Sequence, residues 1–192
     1  IRLIDDVVAG DRFVGLVLQR RPEVEDPKPA DLYEHGCAVR VLKMLKFPDN
    51  TVRILVEGLR RFRVVHYESE EPYLRARVEV RKDQAEESVE LTALTRNAQR
   101  EFQEIVNLSP TISDEVKVAV LNTELPGKLS DLIAANLNMS LEDRQRLLET
   151  SEVKERLNLL LPLLGRELEV LALGSKIQKE VASSMSKSQR DF

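Results

Sequence analysis

Hydrophobic and polar positions change their period part-way along the chain. Up to about residue 84 the apolar residues alternate or form runs of strand length; from about residue 86 they recur every three or four positions. The segment "DRFVGLVLQR" (11–20) is a compact apolar run, followed by the Pro-rich, acidic stretch "RRPEVEDPKPADLYEHG" (20–36), which predicts a loop. "CAVRVLKMLK" (37–46) then places Val39, Val41 and Met44 on one side, with Arg40, Lys43 and Lys46 towards water. "PDN" predicts a turn. "TVRILVEG" (51–58) returns with Val52, Ile54 and Val56 on one face, Thr51, Arg53, Leu55 and Glu57 on the other, and Gly58 as its expected end. "RFRVVHY" continues, and "YLRARVEVR" (73–81) is the last alternating strand. This is the pattern of an antiparallel sheet with one face in a core and the other wet. Short strands with tight turns predict a small barrel or sandwich.

The second half is helical. Leu94, Ala98, Phe102, Ile105 and Val106 form one apolar stripe, which Pro110 ends. Ser113 is placed to cap a short helix that turns Val116, Val120 and Leu121 inward. After Pro126 and Gly127 a third helix buries Leu129, Leu132, Ile133 and Leu137, and Ser140 with Asp143 has capping-box spacing for a fourth. From Ser151 onward Leu157, Leu161, Leu164, Leu168 and Leu171 follow coiled-coil spacing, and Leu173, Ile177, Val181 and Met185 continue at fours. Pro162 lacks the amide that would bond residue 158, so a kink or break is expected there. Gly165 and Gly174 weaken the helix further, and the polar surface beyond Ser175 suits a projecting stalk. The pattern predicts an α+β chain: a β-rich part at 1–84, a helical bundle at 85–150 and a long helix at 151–192.

Composition narrows the function. With 42% hydrophobic and 32% charged residues the chain can build a packed core under a well-solvated surface. A net charge of −4 argues against a dedicated nucleic-acid binder, which needs a basic excess to neutralise phosphates. The basic positions of "KMLKFPDNTVRILVEGLRRFRVVHY" (43–67) sit at period two among β-branched residues, as on the solvent face of a sheet. Cys37 is the single cysteine, which excludes an internal disulfide and suits a reducing compartment. No apolar run is long enough to span a bilayer. The opening "IRLIDDVVAGDRF" starts as if within a helix, with neither an initiator Met nor a signal-peptide pattern, so a piece of a longer protein is expected.

Catalytic signatures are missing from the sequence. His35, Cys37 and His66 are too few for a closed zinc site. The pair Gly127–Lys128 precedes Leu129 where a phosphate loop needs Ser or Thr, and Asn122 stands where its first glycine belongs. No serine-hydrolase elbow occurs. The expectation is therefore no catalytic, cofactor or metal residue.

Two stretches, "KMLKFPDNTVRILVEGLRRFRV" and "VKERLNLLLPLLGRELEVLALGSKIQKEVASSMSKSQRDF", resemble the N-terminal region of bacterial Lon proteases, and "LSDLIAANLNMSLEDRQRLLETSEVKERL" is similar to the helical part of the same region. The resemblance implies a small PUA-like antiparallel β-barrel followed by a helical bundle and a long helix leading to an AAA+ module. It also implies a cytosolic, homohexameric, ATP-dependent serine protease as the parent, with ATP, Mg and the catalytic dyad acting downstream. The resemblance implies a first strand ahead of "IRLIDD", an apolar segment missing or untracked here, and Pro162, Gly165 and Gly174 are unusual for the family's linker helix. Such a domain recognises unfolded or damaged protein and contributes to assembly with neighbouring subunits. The expected client contacts are Phe47 and Pro48 at a hairpin tip, Tyr73 and Leu74 entering a strand, and Phe102 and Met139 on the helices, all placed where barrel and bundle meet. The expected assembly residues are Leu164, Leu168, Leu171 and Ile177. The alternatives are a stand-alone LON-domain adaptor without a motor, and a PUA-like nucleic-acid module.

Overall fold

A computed structural model describes residues 1–190, so Asp191 and Phe192 of the expected stalk lie outside the described residues. The chain divides into two compact units, one ending at Lys82 and the other beginning at Asp83.

The first unit opens with helix α1 (Arg2–Ala9) and continues as four strands: β1 (Phe13–Gln19), β2 (Leu32–Lys46), β3 (Val52–Ser69) and β4 (Arg75–Arg81). They form one antiparallel sheet in the order β1-β2-β3-β4, curled as a half-barrel. Register shifts between Ala38 and Val39, Val41 and Lys43, Val64 and His66, and Tyr67 and Ser69 supply the bend, since each unmatched residue kinks its strand and raises the local twist. Leu32, Val39, Val41, Phe62 and Val64 are the buried hydrophobic residues of this unit, and Leu32, Phe62 and Val64 face its concave side.

Two sequence expectations are corrected here. The loop ends at Asp31, because Leu32 is buried and pairs with Gln19, so β2 starts within the segment read as loop. Gly58 does not end β3: Val39 pairs with Gly58 and Ala38 with Arg60, leaving Leu59 as a bulge through which the strand runs on. The "PDN" turn is as expected. Asn50 takes the left-handed conformation (φ 63°) that asparagine tolerates, and Asp49 accepts bonds from the Thr51 amide and hydroxyl.

The second unit holds α2 (Val89–Leu108), α3 (Asp114–Leu121), α4 (Pro126–Asn136), α5 (Leu141–Glu149) and α6 (Val153–Arg190). Ser88 and Ser140 cap α2 and α5 by accepting the amides of Leu91 and Asp143. Ser113 occupies the cap position of α3 without making such a bond. Phe102, Ile105, Leu129, Ile133, Leu157 and Leu160 sit fully inside an apolar core built by α2, α4 and α6. Leu121 faces outward, against expectation: Val116 and Val120 already share the inner face of this two-turn helix, and Leu121 lies a further 100° round it.

Helix α6 runs through Pro162 without a break. Proline removes one ladder bond, but Leu160 and Leu164 on either side are buried against the bundle, and that packing outweighs the local penalty. Leu164 was expected to mediate assembly; it is instead committed to the bundle's own core, with Leu168 and Leu171 half-buried against the same core. The stripe becomes free only beyond them, at Leu173, Ile177, Val181 and Met185.

A buried guanidinium ties the start of this unit to its last helix. Arg156 has no exposed surface, and its Nη1 and Nη2 donate to the two carboxylate oxygens of Asp83 at 3.2 and 2.6 Å. Nη1 also reaches Asp131 Oδ1 and Ser130 Oγ, and Nε donates to the Thr150 carbonyl. Gln84 pairs alongside Glu152, donating to the Ser151 carbonyl and accepting from the Val153 amide. Asp83 and Gln84, at the start of the second unit, are thereby fixed to the N-terminus of α6.

Candidate functional site

The concave face of the first unit is only partly filled. Period-two alternation turns Phe13, Gly15 and Val17 of β1, Phe62 and Val64 of β3, and Ala76 and Val78 of β4 to this side. Helix α1 adds Leu3 and Val7, one turn apart on one face. These residues line an apolar groove of about 410 Å³. Gly36 lets the sheet close around it. A Cβ there would run into the Leu16 carbonyl oxygen, the Phe62 ring and the Val17 side chain. Phe13 and Val78 stay about half exposed at the rim.

Polar ties hold the groove's helical wall. The Tyr73 hydroxyl donates to Asp6 Oδ2 at 2.9 Å, and Lys46 Nζ meets Asp5 Oδ1 at 2.7 Å. The bond to Asp6 raises the Tyr73 phenol above its ordinary pKa, while burial alone raises that of Tyr67 on the groove lining.

Cations on the exposed surface of the sheet are in part matched by carboxylates. Arg40 pairs with Glu57 at 2.6 Å, Arg63 with Glu34 at 3.4 Å and Arg77 with Glu68 at 3.3 Å. Such pairs neutralise the solvated surface locally, which weakens its attraction for phosphates. Among the described residues no cluster of three or more His, Cys, Asp or Glu side chains could hold a metal ion. No described helix is long and apolar enough to cross a membrane.

The family model for the "ATP-dependent protease La (LON) substrate-binding domain" matches residues 1–166. The chain belongs to this family. Over its whole length it is 41% identical to the Lon protease of Dictyoglomus thermophilum and 42% identical to Lon protease 2 of Myxococcus xanthus. It spans 24% and 23% of those two proteins, about a quarter of their length. Its fold is similar to the N-terminal domain of a Mycobacterium avium complex Lon protease, with a TM-score of 0.61 and 26% identity over 84% of this chain and 82% of that one. A Lon N-terminal domain protein from Xanthomonas campestris shares the fold at a TM-score of 0.57 and 20% identity, covering 84% and 81%.

In this Lon substrate-binding domain the residues expected to touch a client are divided between the two units, Phe47, Pro48, Tyr73 and Leu74 in the first and Phe102 and Met139 in the second. Leu74 lines the groove, and the adjacent Tyr73 is held by Asp6. Phe47 and the exposed Pro48 stand at the tip of the β2–β3 hairpin, where the Arg53 guanidinium lies 4.8 Å over the Phe47 ring. Phe102 is a correction: it is fully buried in the helical core and presents nothing to a client. An i, i+4 stripe looks the same in sequence whether its aromatic residue is core or contact. Met139 is half-buried on a second depression of about 460 Å³ that also involves Asp143, Leu163, Arg166 and Val170. The groove residues missed in the sequence, among them Leu3, Val7, Phe13 and Val78, were legible only as sheet and helix faces. Nothing in the pattern says that the sheet closes incompletely over them.

Proposed function

We propose that this chain captures unfolded or damaged protein in the cytoplasm for an ATP-dependent serine protease of which it is one part. In this reading it performs no chemistry itself: ATP with Mg drives, and a protease domain cuts, in the remainder of the longer protein. The single observation that carries the proposal is the apolar groove of the first unit, rimmed by half-exposed Phe13 and Val78. A receptor for misfolded chains needs accessible apolar surface without a specific polar pocket. Weak capture gains from repetition if the parent is a homohexamer, since several grooves can hold one long client. Contact with neighbouring subunits falls to the free part of α6, with Ile177 the one expected assembly residue that is substantially exposed.

The test compares a permanently unfolded, carboxymethylated client with its native form, by fluorescence anisotropy. The unfolded form alone should bind, and replacing Phe13 and Val78 together by Asp should weaken binding about tenfold or more, the equivalent of one lost apolar contact per residue. Equal binding of native and unfolded client, or unchanged affinity in a variant with intact circular dichroism, would remove the groove from this role.

A further inference from the structure

Helix α6 and the connection between α4 and α5 line the second depression, of about 460 Å³, and every residue of it belongs to the second unit. Both of its walls are anchored. On α6, Leu160 and Leu164 are committed to the apolar core, and Leu163, Glu167 and Val170, spaced by four and three, form the flank beside them. On the other wall Leu137 is buried in the same core, Arg144 Nη2 donates to its carbonyl at 3.1 Å, and Ser140 caps α5. Asn138 and Met139 are thereby held between two fixed residues. A site prepared in this way loses little conformational freedom when a ligand enters.

The polar groups of this depression are poorly matched. Among the described residues the side chains of Asn138, Arg166 and Glu167 have neither a hydrogen bond nor an ion pair. Arg166 is exposed and hydrated, but Glu167 is half-buried. The other carboxylate, Asp143, is also half-buried; it accepts from Ser140 Oγ, and Arg146 Nη1 stands 4.0 Å away. A partly desolvated carboxylate without a cation is stabilised by one brought from outside. Met139, Leu163 and the exposed Val170 supply the apolar part of the lining, and methionine adapts its shape to varied partners.

We infer that this depression holds an apolar side chain of an extended client segment, with a basic residue beside it set against Glu167. This rests on the reading of the chain as a client-binding domain, and it adds a second contact, in the helical unit. The Asn138 amide selects main chain, because it offers both an acceptor and donors to a peptide group that needs both. Charge selects the neighbouring residue: an acidic segment or a phosphate would meet Asp143 and Glu167, whereas Lys or Arg offsets them. A second copy of this chain is disfavoured on the same ground, since the helical unit carries nineteen acidic against thirteen basic residues.

The probe is a labelled nine-residue peptide with a central Leu-Lys pair among Ser and Gly, titrated by anisotropy against the 192-residue chain. Replacing its Leu by Ser, or Val170→Asp in the protein, should weaken binding about tenfold or more, the equivalent of one lost apolar contact. Glu167→Lys should turn preference from the Leu-Lys peptide to its Leu-Glu counterpart. With photo-leucine in place of Leu, the peptide should cross-link to residues 138–170 of the full-length parent. Four results would each overturn the inference. The Leu-Lys, Ser-Lys and Leu-Glu peptides bind alike; or both protein variants, with circular dichroism intact, bind like the original; or no cross-link falls within 138–170; or the chain self-associates and Val170→Asp abolishes the association, which would give the surface to a second copy. Replacing Phe13 and Val78 by Asp should leave the affinity for the Leu-Lys peptide unchanged. If unfolded client needs Phe13 and Val78 while the peptide results fail, capture by the groove stands and this inference falls. If no unfolded client binds at all, both readings fall.

Discussion

The two units solve the burial problem differently. The sheet unit, residues 1–82, carries sixteen Lys and Arg against fourteen Asp and Glu, a net +2; the helical unit carries thirteen against nineteen, a net −6. The sheet buries one face, and leaves that face partly open as a groove. The helices bury stripes against one another and close an apolar core around Phe102 and Ile133. Their polar ties differ too. Ion pairs of the sheet unit are solvent-exposed, the kind worth little each. The helical unit has one guanidinium wholly out of water. A curled sheet without closure thus keeps apolar surface available for binding, and a bundle spends its apolar surface on stability.

The largest test of that contrast is a matched pair of truncations. Phe102→Ala should cost the helical unit about 4 kcal/mol, because the surrounding core is closed and the cavity cannot collapse. Phe62→Ala should cost the sheet unit less, about 2 kcal/mol, since its ring already borders the open groove and water can enter the space. Urea unfolding followed by hydrogen exchange in each unit separates the two, which a single global transition would not. Equal losses would mean the groove is closed in solution.

Next comes the buried cation. Arg156→Met removes the charge together with the guanidinium bonds to Asp83 and Asp131. Breaking a fully buried pair costs about 3–5 kcal/mol, and because both carboxylates here are partly solvated the expected loss is about 2–3 kcal/mol. Exchange at Gln84 and at the start of α6 should rise first. Gly127 belongs to the same arrangement: a Cβ on it would run into the Asp83 carboxylate, so Gly127→Ala should loosen the same segment.

How much of this was legible in the sequence depends on the kind of contact. Local periodicity placed the strands of the first half, and the stripe Ala98, Phe102 and Ile105 of α2, because both follow from which side chains share a face. It misplaced the end of β3 at Gly58 because a bulge is set by the partner strand, here by the pairing of Ala38 with Arg60. It left Pro162 as a kink or break because the packing of Leu160 and Leu164 that carries the helix through is tertiary. Arg156 gave no signal at all: Asp83 is 73 residues away, and an arginine in a helix reads as solvated until its partners are known. Of the groove, the faces were readable but the incomplete closure was not.

A glycine pair sharpens the contrast with smaller effects of opposite sign. Gly36→Ala should destabilise the sheet unit by about 1–3 kcal/mol, since Leu16 backbone and the Phe62 ring leave no room. Gly165→Ala should stabilise α6 by about 0.5–1 kcal/mol, because nothing lies near its added methyl and the unfolded chain loses freedom. Thermal melts of the two single variants should shift in opposite directions. A stabilising Gly36→Ala would show that the strands sit further apart than described.

The smallest effect lies in the groove wall and depends on pH. Tyr73 donates to Asp6, so the folded state favours the protonated phenol and its pKa lies above that of the unfolded chain. A group raised in this way contributes its full stability below the unfolded tyrosine pKa and loses it as pH climbs through the folded value. The original chain should therefore lose stability relative to Tyr73→Phe above roughly pH 10, and the two should keep a constant difference at neutral pH. Denaturant midpoints at pH 7 and pH 10.5, with phenolate absorbance followed in parallel, measure both quantities. If the midpoint difference is the same at the two values, the bond to Asp6 does not persist in solution, and α1 is held over the groove by its apolar face and the Lys46–Asp5 pair instead.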